Sequence, residues 1–235
     1  MENIIHQIRE ELLKNADEKL QISGKRFFKE EIKLHGVKMA LVIKISKNQI
    51  GGLKEKGKEK TFEICEELWK SGFLEESIIA CNFSYTFQKQ YVPADFEVFE
   101  KWLYQYVSNW AVCDTLCNHT IGSFIEMYPD YLKNLKDWTK STNRWVKRAS
   151  AVSLIVPARK GQFLNDILDI SEMLLMDKDD MVQKGYGWML KAASQAHQNK
   201  IFEFVLKFKS NMPRTALRYA IEKMPLELKT LAMKK

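Results

Sequence analysis

The sequence predicts an all-α fold, a curved solenoid of stacked helix pairs with a concave basic groove. Three observations predict it. Glycine and proline are scarce, at 10 and 5 of 235 residues, too few for turn-rich β architecture. Apolar residues recur three or four apart along most of the chain. A short motif also returns about every 35 residues, the period of stacked helix pairs.

The elements follow in chain order. MENIIHQIREELLKN at the start alternates charged and apolar positions and lacks the apolar core of a signal peptide. Met39–Ile45 is rich in β-branched residues but sits among helix formers, so helix is expected there. From Lys44 to Lys60 six lysines accompany Gly51, Gly52 and Gly57, which predicts a helix interrupted by a loop. From Phe96 the apolar positions Phe96, Phe99, Trp102, Leu103 and Tyr106 keep helical spacing. The prolines Pro93, Pro129, Pro157, Pro213 and Pro225 lie near the edges of such segments, as punctuation between helices. Leu154–Val156 is again β-branched in a helical setting and is expected to be helix.

The repeat is carried by WAVCD (110–114), RWVKR (144–148), MVQK (181–184) and RTALR (214–218). Asn109, Asn143, Asp180 and Asn211 precede them and suit an N-cap or turn. The closing residues Asp114, Arg148, Lys184 and Arg218 are 34, 36 and 34 residues apart. In a solenoid the same slot of successive repeats lines one surface. Here that slot holds one acid and then three bases. A solvated face is the bland reading of such a series; an anion-binding groove is the functional one. No composition shift divides the chain, so a single domain over residues 1–235 is expected.

Composition narrows the function classes. The formal net charge is +7, which points to an anionic partner, nucleic acid first. No apolar run approaches the length of a membrane span, and a soluble, cytoplasmic protein is expected. Four cysteines, Cys65, Cys81, Cys113 and Cys117, read as reduced thiols. Cys113, Cys117 and His119 lie close together, yet no second ligand pair stands at a zinc-site spacing. Buried thiols are the better reading, and no metal or cofactor is expected. Phosphate-binding glycine loops, nucleophile elbows and zinc-protease or deaminase signatures are absent. With no coiled-coil heptads, a monomer is the simplest state.

What remains is a set of aromatic, acidic and basic residues. Trp110 and Asp114 are four apart and share a helix face. Alone, such a pair is more often a core tryptophan with a rim carboxylate. Arg144 and Arg148, also four apart, flank Trp145; arginines on one face suit phosphate oxygens. Trp188 follows the third slot residue, Lys184. Between Lys133 and Arg148 six bases meet a single acid, Asp137, so phosphate contact and simple solubility are the competing readings.

At these residues the chain resembles the AlkD-type DNA alkylation repair glycosylases. NWAVCD, NRWVKRAS and VQKGYGWMLK look like the corresponding family segments, and GKRFFKEEIKLHGVK (24–38) and EICEELWKSGFLEESIIA (63–80) resemble its N-terminal half. The resemblance runs from about Gly24 to Lys223. It implies a right-handed superhelix of HEAT-like repeats and removal of cationic N3- or N7-alkylated purines from double-stranded DNA, without strand cleavage. It matches Asp114 to the catalytic carboxylate, Trp110 and Trp188 to lesion-contacting aromatics, and Arg148 to a backbone-binding base. Arg144, Lys184 and Arg218 are expected to assist with phosphates. Phe27 falls where some members carry a tyrosine whose hydroxyl can bond to the DNA backbone. Some branches bind DNA with little or no excision, so non-catalytic binding of damaged or branched DNA is the alternative, and a protein-interaction scaffold the next.

Overall fold

The computed structural model describes residues 2–234. Among them the regular structure is helical, with no strand apart from an isolated bridge between Lys33 and Phe73. The chain divides into two compact units, one ending at Leu116 and the other starting at Cys117.

The first unit contains α1 (Glu2–Lys14), α2 (Glu18–Lys25), α3 (Met39–Lys56), α4 (Lys58–Lys70), α5 (Leu74–Thr86), α6 (Asp95–Gln105) and α7 (Trp110–Thr115). Its core holds Ile8, Leu12, Leu53, Ile64, Leu68, Trp69, Ile79, Phe83, Phe99 and Trp102, all essentially sealed from solvent. Here α3 packs on α5, and α5 packs on both α4 and α7. A buried ion pair fastens the start of α4: Lys58 Nζ lies 2.7 Å from Asp95 Oδ2 and also donates to the Gln90 carbonyl. A second fastening is Glu66, which accepts from Lys101 Nζ at 2.6 Å, Trp102 Nε1 at 2.7 Å and the Tyr106 hydroxyl at 2.6 Å.

The second unit contains α8 (Gly122–Met127), α9 (Leu132–Trp138), α10 (Arg144–Val152), α11 (Ile155–Arg159), α12 (Leu164–Met173), α13 (Asp180–Ala193), α14 (Gln198–Phe208), α15 (Arg214–Ile221) and α16 (Leu226–Met233). Here α10 packs on α13 and α13 on α15, so helices one period apart lie side by side. The closest approach is at Gly187: a Cβ there would stand 2.7 Å from Tyr219 Cβ and 2.8 Å from the Ala216 carbonyl oxygen. Gly185 is likewise a notch, with a built Cβ 3.2 Å from Arg148 Cγ. The Gly185-Tyr186-Gly187 run is therefore a helix-packing device, and Tyr186 between the two glycines is fully buried.

The expected repeat is present as secondary structure. The helices carrying the four motifs begin at Trp110, Arg144, Asp180 and Arg214. Asp114, Arg148, Lys184 and Arg218 each occupy the fifth helical position. The same period continues toward the N-terminus, to the helices starting at Met39 and Leu74. Those two were not legible from the motif. Lys38 and Phe73 precede them without a side-chain cap, and Ile43 and Ile78 stand in the slot.

Asn109 and Asn143 cap their helices as expected. The cap of α13 is Asp179, one residue before Asp180, and the cap position of α15 is Pro213 instead of Asn211. The loop expected within Lys44–Lys60 is corrected. Gly51 and Gly52 lie inside α3, and the only break is Gly57, at φ 84°. Val42, Ile45 and Leu53 bury one face of α3, and that burial outweighs the weak helix propensity of two glycines. Met39–Ile45 is helix as expected, and α11 covers Ile155 and Val156.

Candidate nucleic-acid site

Within the first unit the site is built on the start of α7. Asn109 adopts extended backbone angles and its side chain accepts from the Val112 amide at 3.0 Å, satisfying one of the orphan donors of the first turn. That cap fixes Trp110 at the first helical position and Asp114 one turn later on the same face. Both side chains are half-buried. The Trp110 indole stacks on Phe28, with centroids 5.5 Å apart and planes 19° apart. Its Nε1 donates to the Phe27 carbonyl at 3.4 Å.

Phe27, Phe28, Trp110 and Ala111 form part of the wall of a pocket of about 390 Å³. Leu20, Leu34, Val37, Met39 and Leu74 complete its apolar lining. Phe27 itself is three-quarters exposed. So the structure gathers Phe27, Trp110 and Asp114 in one unit and adds Phe28, which sequence reasoning did not single out. The only signal for Phe28 was its place in the doubled aromatic of GKRFFKEE.

After α7 the backbone widens into a π-helical stretch, Leu116–Ile121. Such stretches are uncommon and frequent near functional sites. His119 lies in it, exposed at its outer edge, and partial desolvation pushes its imidazole below the usual range. All four cysteines are buried, in keeping with the packing reading. Among the described residues no cluster of His, Cys, Asp and Glu suits a metal.

Within the second unit Arg144, Arg148 and Lys184 are engaged by carboxylates and carbonyls. Arg144 Nε stands 2.8 Å from Asp179 Oδ2, its Nη2 donates to Asp179 Oδ1 at 2.9 Å, and its guanidinium lies over the Trp145 ring at 5.0 Å. Asp179 also caps α13 through the amides of Met181 and Val182. A single carboxylate thus starts α13 and ties it to α10. Arg148 is buried, and its Nη1 donates to the Met181 carbonyl. Lys184 is half-buried, 3.2 Å from Asp180. Trp188, one turn beyond Lys184, is half-buried, and Arg218 on α15 is exposed.

The basic stretch from Lys133 to Arg148 is far less bare than its sequence suggests. Lys136 pairs with Asp166 and Asp169, Lys147 with Asp177, and Lys140 with Asp137. Three of these acids come from 30 to 33 residues downstream, on or next to the following repeat.

The fold belongs to a recognisable class. A family model described as DNA alkylation repair enzyme matches residues 8–224, and the chain belongs to that family. Membership supports a role in DNA alkylation repair, with DNA as the partner. Among solved structures, the chain is similar to a predicted DNA alkylation repair enzyme from Enterococcus faecalis, with a TM-score of 0.80. The match covers 90% of this chain and 98% of that one at 14% identity, a likeness of fold. No curated protein matches the sequence. Among the described residues no helix is long and apolar enough to cross a membrane.

Proposed function

We propose that the protein is a monofunctional DNA glycosylase for cationic N3- and N7-alkylated purines in duplex DNA. The observation that carries this reading is Asp114, held one turn beyond Trp110 on the capped helix α7 of a DNA alkylation repair family member. Alkylation at N3 or N7 puts a positive charge on the base and makes it a good leaving group. As the N-glycosidic bond breaks, its electron pair passes to the base nitrogen and cancels that charge. Positive charge then develops on the deoxyribose. A fixed carboxylate beside that sugar stabilises it and orients the water whose oxygen bonds to C1′. The proton lost by that water leaves through the carboxylate to solvent.

The exposed part of the Trp110 ring offers an electron-rich face to the cationic nucleotide, an interaction of about 0.5–2 kcal/mol. Trp188 is assigned the same role, and Arg148, Arg144, Lys184 and Arg218 are assigned to the DNA backbone around the lesion. Phe27, exposed beside Trp110, can make only apolar contact there. Selection would then follow lesion charge and leaving-group quality more than base shape.

Release of 7-methylguanine from a methylated duplex tests the reading. Asp114→Asn is expected to slow release roughly 100- to 1,000-fold while duplex binding persists. A wild-type protein that binds the duplex yet releases base no faster than the spontaneous reaction would leave non-catalytic binding of damaged DNA in its place.

A further inference from the structure

We infer that Phe28 is a positioning residue for Trp110, holding the indole in the plane it must present to a lesion; this rests on the glycosylase reading above. Two contacts fix that indole. One is the hydrogen bond from Nε1 to the Phe27 carbonyl, which at 3.4 Å is long and near the limit of useful geometry. The other is the stack on Phe28, at 5.5 Å and 19°, within the range of favourable aromatic pairs. The stack is the stronger constraint on the ring plane.

Phe28 can do this because its own backbone is anchored. It follows α2, with its amide donating to the Lys25 carbonyl at 3.2 Å. The end of α2 sits close against the next segment: a Cβ on Gly24 would stand 2.9 Å from Leu34 Cδ1. Gln21 Nε2 donates to the Leu34 carbonyl at 2.7 Å, and the Asp17 amide donates to the Gly36 carbonyl at 3.1 Å. Gly36, at φ 83°, leaves no room for a side chain, since a Cβ would meet the Asp17 carbonyl oxygen at 2.3 Å. Glu75 of α5 then collects the amides of His35, Gly36 and Val37. The restraint passes from α5 through this turn and α2 to Phe28, and from there to the indole on α7. Phe27, next in the chain, is exposed, so the two phenylalanines divide the work.

The test uses full-length protein carrying 5-fluorotryptophan, with the Trp110 resonance assigned through Trp110→Phe. Phe28→Leu and Phe28→Met remove the ring; Phe28→Tyr keeps it. The ring-less variants should shift the Trp110 resonance, leave the other five tryptophan resonances in place, and slow single-turnover release of 7-methylguanine roughly 3- to 10-fold. Their affinity for undamaged duplex should match wild type, and Phe28→Tyr should restore both resonance and rate. An unmoved resonance in both ring-less variants, or Phe28→Tyr as impaired as Phe28→Leu, overturns the proposal. If the wild-type protein releases no base, the glycosylase reading fails, and the resonances alone decide whether Phe28 positions Trp110.

Discussion

Glu75 shows how much one buried side chain organises. It is almost completely buried, yet its two oxygens accept the amides of His35, Gly36 and Val37 at 3.0, 2.9 and 3.2 Å. Those amides belong to a turn with no ladder of its own, so without the carboxylate they would be buried and unsatisfied. Glu75→Ala strands three amides, each worth about 1–3 kcal/mol when buried and unsatisfied, and should lower the unfolding free energy by about 3 kcal/mol or more, read from urea titration. Glu75→Gln keeps one acceptor oxygen and should lose less. Its neighbour Glu76 takes Arg9 Nε and Nη2 at 3.0 and 2.9 Å and His35 Nε2 at 3.2 Å. Burial alone would raise the Glu76 pKa, but these bonds and the Arg9 charge outweigh it and hold the carboxyl below its usual range.

At the scale of the element, the joints between helices are specific atoms. Glu66 joins α4 to α6. Burial opposes its ionisation, but the bonds from Lys101, Tyr106 and Trp102 prevail and lower its pKa from 4.5. A depressed carboxylate stabilises the fold above its unfolded pKa, and that stability is lost as pH falls through the folded value. The urea midpoint should therefore fall as the pH is lowered below the ordinary carboxylate value of 4.5, and Glu66→Gln should flatten that fall. Glu76 acts in the same direction, so some acid sensitivity should remain in the variant. The α13–α15 joint depends on Gly187, whose missing Cβ lets the helices meet backbone to backbone. Gly187→Ala gains helix propensity but must push α15 away, and should cost a net of about 1–3 kcal/mol. A lower Tm with unchanged helical circular dichroism would bear this out; an unchanged or raised Tm would refute it.

For the whole molecule the governing quantity is charge. The net +7 should make binding to duplex DNA strongly salt-dependent. Six phosphate contacts would lower affinity roughly 1,000-fold between 50 and 200 mM salt. Affinity that stays flat across that range would contradict an electrostatic DNA surface. The lysines of 133–147 contribute less than their number implies, because Asp137, Asp166, Asp169 and Asp177 are paired with them.

The all-helical class, the 35-residue period, the asparagine caps and the Trp110–Asp114 pairing were all readable in the chain. Each depends on residues within about one helical turn of one another, or on a period that recurs openly. The glycines of α3 misled because burial of Val42, Ile45 and Leu53 decides that helix, and burial is not a local property. The two N-terminal repeats were hidden because their slots hold isoleucine and neither Lys38 nor Phe73 is a capping residue type. Asp179 holding Arg144, Met181 accepting from Arg148, Phe28 beneath Trp110 and Gly187 against α15 join positions 29 to 82 residues apart. Only tertiary structure could decide them, because the free energy of an ion pair, a ring stack or a close helix approach exists only once folding has brought the partners into contact.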